Sequence, residues 1–101
     1  MAAYLMVRAE VPAEDREKFD HWYENEHLPD AKKALGAVSA FRGWCDGETG
    51  VHLAVYQFSD IGQVQKAVKS QSLTELVKEF DRVWEGRIHR TREVFEAKQV
   101  I

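Results

Sequence analysis

The candidate chemistry is concentrated in the run Phe19-Asp20-His21-Trp22-Tyr23-Glu24-Asn25-Glu26-His27-Leu28-Pro29. An imidazole titrates near neutrality, so His27 can take a proton from a bound organic molecule, or give one, if it is held against a pocket. Tyr23 stands one helical turn earlier and can orient that ring or donate to a carbonyl. Trp22 and Trp44 offer flat apolar walls. Arg42 offers a fork that fits a carboxylate or phenolate. Each has a plainer reading beside it. His27 can be an imidazolium at the negative end of a helix, the tryptophans can be core, and Arg42 can be an ion pair on a strand edge.

The other polar residues carry weaker signals. His21 is about 600° of helical rotation from His27 and so points elsewhere. Glu26 has the chemistry of a general base, but acids near helix ends are usually solvated. His52 and His89 make no ligand spacing with the other histidines, and no metal site is expected. Arg87, Arg90 and Arg92 read as the charged edge of a strand, interrupted by Glu93 and Glu96. Cys45 is alone, with no partner for a disulfide and no evident activating base. There is no glycine-rich phosphate loop and no nucleophile elbow.

Positioning these residues falls to elements that the hydrophobic pattern marks out. Tyr4 to Val11 is β-rich and apolar at both parities, and Pro12 stops its ladder. Ala13 to Glu26 reads as helix with the stripe Phe19, Trp22, Tyr23 and His27. Pro29 predicts a kink or an end near His27, then a short helix that Gly36 closes. Ala37 to Cys45 and His52 to Phe58 are strands joined through the turn cluster Asp46 to Gly50. Asp60 with Gln63, and Ser72 with Glu75, are spaced as capping boxes for two further helices. The second of these carries Leu73, Leu76, Val77, Phe80, Val83 and Trp84 on one stripe. Gly86 ends it, and Arg87 to Glu96 forms the last strand.

The resulting order is that of an α+β fold of ferredoxin-like type, βαββαβ, with a four-stranded antiparallel sheet and its helices on one face. The first and third strands are apolar on both faces and belong in the centre of the sheet. The face away from the helices then needs a cover, and a second copy of the sheet supplies one, giving a homodimer. At 101 residues the chain fits one domain, 1–101. Its composition, 45% hydrophobic and 31% charged, is that of a globular protein. A net charge of −3 without a basic tract argues against nucleic acid and against a polybasic membrane anchor. No apolar run approaches the ~20 residues of a membrane span and no signal-peptide layout is visible, so a cytoplasmic location is expected.

The motif Phe19-x-x-Trp22-Tyr23-x-x-Glu26-His27-Leu28-Pro29, followed by a short helix and Gly36, resembles the EthD-like branch of the dimeric α+β barrel superfamily. The likeness extends over most of the chain. It implies a homodimer whose sheets face each other, with a cavity between sheet and helices in each subunit. In some relatives the histidine equivalent to His27 lines the cavity and serves in proton transfer, a role the resemblance extends to His27. Relatives include cofactor-free monooxygenases, lactone isomerases, cyclases and dehydratases. A haem-degrading role is not expected, because the first strand lacks the asparagine those relatives carry. The expected function is therefore cofactor-free binding of a small aromatic or lactone-like molecule with proton transfer. His27 and Tyr23 would be catalytic, and Trp22, Trp44 and Arg42 would bind substrate. Cofactor-free oxygenation and a non-catalytic binding or assembly module are the alternatives.

Overall fold

A computed structural model describes all residues from Met1 to Ile101. Four strands, β1 (Ala3–Glu10), β2 (Ser39–Trp44), β3 (Val51–Phe58) and β4 (His89–Glu96), form one antiparallel sheet in the order β2-β3-β1-β4. As the patterning predicts, β1 and β3 are central and β2 and β4 are the edges. Registers such as Leu5 opposite both Tyr56 and Val94 place alternate residues of all four strands on a common face. Ala3, Leu5, Ala9, Ala54, Tyr56 and Phe58 are buried on that face, where the helices pack. No helix is long and apolar enough to cross a membrane.

The first helical stretch does not end near His27. A 3-10 turn at Ala13–Asp15 leads into α1 (Arg16–Trp22), a π-helical turn at Tyr23–His27, and α2 (Leu28–Leu35) without a break. Pro29 has no N–H to give to the carbonyl four residues back, and its ring crowds that carbonyl. The chain answers by widening: the Leu28 N–H bonds to the Tyr23 carbonyl, five residues back, and Leu28 keeps right-handed helical geometry. The helix therefore runs past His27 to Gly36, which adopts a left-handed conformation (φ 71°) and closes it.

The remaining helices follow their caps. Asp60 accepts from the Gln63 N–H at 2.9 Å and opens α3 (Ile61–Val68), as the capping box predicts. The opening of α4 (Gln71–Trp84) is two residues earlier than expected. Its cap is Ser70, which accepts from the Leu73 N–H while its own hydroxyl donates to the Ala67 carbonyl at 2.6 Å. That second bond ties the end of α3 to the start of α4, so Ser72 falls inside the first turn. Glu85 and Gly86, both left-handed, end α4.

Phe19 is the hub of the core. It is fully buried, with ring centroids of Tyr23, His52 and Trp84 at 5.1, 5.0 and 5.4 Å, and Trp44, Phe80 and Trp22 just beyond. It joins α1, α4 and the β2–β3 hairpin. Truncation there leaves a cavity ringed by stiff aromatic groups that cannot collapse into it. Phe19→Ala is expected to lower the unfolding free energy by about 3–5 kcal/mol, a large fraction of the total for a chain this size. Denaturant titration of the wild type and the variant measures it.

Candidate functional site

A cavity of about 190 Å³ lies between sheet and helices and is partly open to solvent. Its sheet side is Leu5, Val7 and Tyr56, with Arg90 and Arg92 of β4. Tyr23 and His27 of the π turn, with Ala31 and Leu35 of α2, form one wall. Leu73, Leu76, Val77 and Phe80 of α4 form the other. The surface is mostly apolar, with polar groups contributed by a few side chains, a pattern typical of small-molecule sites.

His27 is 9% exposed and is placed by its aromatic neighbours. Its ring stacks on Trp22 at 4.6 Å with 18° between planes, and meets the edges of Tyr23 and Phe80 at 4.8 and 5.6 Å. The π turn makes the stacking possible. In a regular helix residues five apart are about 140° apart around the axis and cannot face each other. The wider turn brings Trp22 beneath His27. Neither ring nitrogen makes a hydrogen bond within the protein, neither is fully sealed, and the residue lines the cavity. Burial, reinforced by the charge of Arg90 and opposed by Glu79, pushes the His27 pKa down to about 4. The imidazole is therefore neutral at pH 7 and in mid-helix, so the expectation of a helix-capping imidazolium does not apply.

Tyr23 and Tyr56 act on each other across the cavity wall. Burial raises both phenols, that of Tyr23 to about 12, and the neighbouring Tyr56 hydroxyl opposes the rise at Tyr23. Both are protonated donors at neutral pH. The cavity thus presents an unpaired neutral base, two phenols and two guanidiniums, with no carboxylate among its lining residues.

The structure divides the sequence-derived residues into two groups. His27 and Tyr23 line the cavity, while Trp22 supports His27 from behind. Arg42 and Trp44 do not line it. Both reach instead to Asp20 of α1: the Arg42 Nη1 and the Trp44 Nε1 donate to the same carboxylate oxygen at 2.9 and 2.8 Å. Hydrogen bonds from Arg42 and Trp44, in that order, hold the Asp20 carboxyl below its ordinary range. The plainer reading of Arg42, an ion pair on an edge strand, is what the geometry displays.

Behind Arg42 lies a residue whose importance the sequence hid. His52 is 1% exposed, and its Nε2 lies 3.2 Å from the Arg42 Nη1. A guanidinium only donates, so Nε2 accepts, and the hydrogen sits on Nδ1, which is buried without a hydrogen-bond partner. Tyr23 packs against this ring at 4.5 Å. Burial first, then the charge of Arg42, pushes the His52 pKa down to about 4. Arg90 and Arg92 also escaped the sequence reading as cavity residues. The signal was alternation: both share the parity of Ile88, which is buried. No group of three or more His, Cys, Asp or Glu side chains converges to hold a metal ion.

No protein-family model and no curated relative matches the sequence. Solved structures match over nearly the whole chain. An EthD-family protein from Bacillus halodurans has 20% identity and a TM-score of 0.75, over 96% of this chain and 99% of that one. A putative antibiotic biosynthesis monooxygenase from Deinococcus radiodurans has 10% identity and a TM-score of 0.71, over 98% and 95%. SnoaB, a cofactor-independent oxygenase from Streptomyces nogalater, has 12% identity and a TM-score of 0.70, over 99% and 96%. The fold is thus the ferredoxin-like α+β fold of these proteins, and the resemblance read from the Phe19–Pro29 motif holds at the level of fold.

Two buried neutral histidines make stability depend on pH. Their folded pKa values, about 4, lie below the ordinary value near 6.5. The unfolded chain therefore takes up protons first as pH falls. Their contribution is fully present above about pH 6.5 and is lost progressively down to about pH 4, by up to about 1.4 kcal/mol per pH unit for each histidine. Urea midpoints measured from pH 7 to pH 4.5 should fall along this slope, and His27→Gln or His52→Gln should flatten it. Arg42→Ala should cost about 2 kcal/mol at pH 7, because it leaves the His52 Nε2 without its donor.

Proposed function

We propose that the protein binds a small, single-ring organic molecule in this cavity and acts on it by proton transfer without a cofactor. One observation carries the reading: His27 is buried and unpaired, and it lines an apolar cavity. A base in that setting serves a ligand better than it serves the fold, since the fold makes no hydrogen bond to it. The cavity volume supports a molecule of one ring, being slightly above the roughly 150 Å³ that admits benzene.

The step balances within these groups. A neutral His27 accepts a proton from an acidified C–H of the ligand, and the electron pair moves into the conjugated oxygen. Tyr23, polarised by Tyr56, donates a hydrogen bond to that oxygen as charge develops, and Arg90 and Arg92 supply a positive field. Return of the proton from the imidazolium to a different carbon completes an isomerisation. Trp22 keeps the imidazole plane fixed through the cycle. The substrate-binding part read from sequence for Trp22 is thus recast as support for the base, and Arg42 and Trp44 act through Asp20 and His52 to hold the floor beneath Tyr23.

A second reading has its own support. SnoaB shares the fold and is a cofactor-independent oxygenase. In that case the deprotonated ligand is an electron-rich phenolate and molecular oxygen is the co-reactant. Oxygen uptake with candidate phenols separates the two readings, because isomerisation consumes none.

We also propose the homodimer. The sheet face away from the helices presents Tyr4, Met6, Phe41, Leu53, Val55 and Phe95, with Phe41 57% and Phe95 47% exposed. An apolar surface of this kind on a monomer calls for a cover, and a second copy of the sheet offers the same apolar residues. Sedimentation should report twice the 11.7 kDa chain mass at micromolar concentration, and Val55→Asp should return it towards one.

For catalysis, His27→Ala should abolish turnover while sedimentation and circular dichroism remain those of the wild type. The acid limb of kcat/KM should fall near pH 4 instead of near 6.5, since the base loses activity only as the buried imidazole protonates. Retained turnover in His27→Ala, or a limb near 6.5, sinks the assignment.

A further inference from the structure

Arg90 and Arg92 occupy alternate positions of β4, opposite Ala9 and Val7, on the helix-facing side of the sheet. Both line the cavity, but they are differently engaged. The Arg90 Nη2 is 2.7 Å from the Asp81 carboxylate, and its guanidinium carbon lies 3.7 Å from the centre of the Phe80 ring. Its charge is matched and its plane is held. Arg92 enters no ion pair and no side-chain hydrogen bond. An exposed cation is ordinarily content with water. This one differs in place: it lines a mostly apolar cavity that is partly open to solvent, beside a second guanidinium, with no acid in the lining.

We propose that the ligand of this cavity is a single-ring carboxylate whose carboxylate pairs with Arg92 at the rim while the ring lies inward against Phe80 and Leu76, towards His27. The inference rests on the reading of the cavity as the ligand site and deepens it by naming the substrate class. Size favours one ring. Charge favours an anion, because Arg92 lacks the counter-ion that Arg90 has in Asp81. Stoichiometry favours a carboxylate, because one free guanidinium offers one fork, which satisfies two oxygens in a plane. Arg92 is then a binding and specificity residue, and the proton chemistry stays with His27 at the inner wall.

Calorimetric titration of the intact protein with benzoate and phenylacetate, and with their neutral amides, tests the proposal. The acids are expected to bind about tenfold more tightly than the amides. Arg92→Gln should remove that preference, and added salt should weaken the acids alone. Leu76→Trp, which fills the cavity, should abolish binding of all four. Equal binding of acids and amides, or unchanged acid binding in Arg92→Gln, overturns the carboxylate while leaving the cavity as a ligand site, provided Leu76→Trp still abolishes binding. Failure of all four probes to bind the wild type, or binding indifferent to Leu76→Trp, overturns both. Circular dichroism of each variant separates loss of a contact from loss of fold.

Discussion

The missing N–H of Pro29 is the constraint from which the site follows. A regular helix through that residue would lose a hydrogen bond and crowd the carbonyl of Asn25. Inserting a wider turn, with Leu28 bonded to the Tyr23 carbonyl, relieves both difficulties and keeps α1 and α2 in one continuous helical run. The change in phase turns Trp22 and His27 face to face. It also leaves Tyr23 and His27 on the side that meets the sheet. Local covalent chemistry thereby sets the direction of a side chain, and that direction determines whether the imidazole meets solvent or a cavity.

Packing then fixes what the turn has aimed. Phe19 holds the helix against α4 and the hairpin, and the Asp20–Arg42–Trp44 cluster pins its outer side to an edge strand. Edge strands are the least constrained part of a small sheet, and here one is tied to the helix by two hydrogen bonds to a single oxygen. His52 joins the two systems, touching Phe19, Tyr23 and Arg42.

Much of this was legible in the sequence, and the reasons are physical. Strand order followed from burial parity, because central strands must be apolar on both faces while edges need not be. The His27–Tyr23 pair followed from helical spacing, which a single widened turn perturbs but does not destroy. The cap at Ser70 was missed because Ser72 and Glu75 satisfy the same spacing rule two residues later, and only the bond to the Ala67 carbonyl chooses between them. Arg42 and Trp44 were read as ligand contacts because nothing local reveals that Asp20 would meet them from another element. Arg90 and Arg92 were set aside as a solvated edge because their charges draw attention away from the parity they share with Ile88. Long-range pairing is what a pattern of residue types cannot supply.

The walls of the cavity come from separate parts of the chain. The titratable groups stand on the first helical run and on the sheet, with Tyr56 on β3 and Arg90 and Arg92 on β4, whereas α4 contributes only Leu73, Leu76, Val77 and Phe80. Reactivity and shape are thus encoded apart. If the cavity holds a ligand as proposed, exchange of one aliphatic side chain for another along α4 alters which molecules fit while leaving the imidazole and the phenols in place. On that reading a lineage can change its ligand cheaply, by substitutions that keep the helix amphipathic and leave the proposed proton-transfer groups untouched. Such a division suits a scaffold whose neighbours share its backbone at 10 to 20% identity.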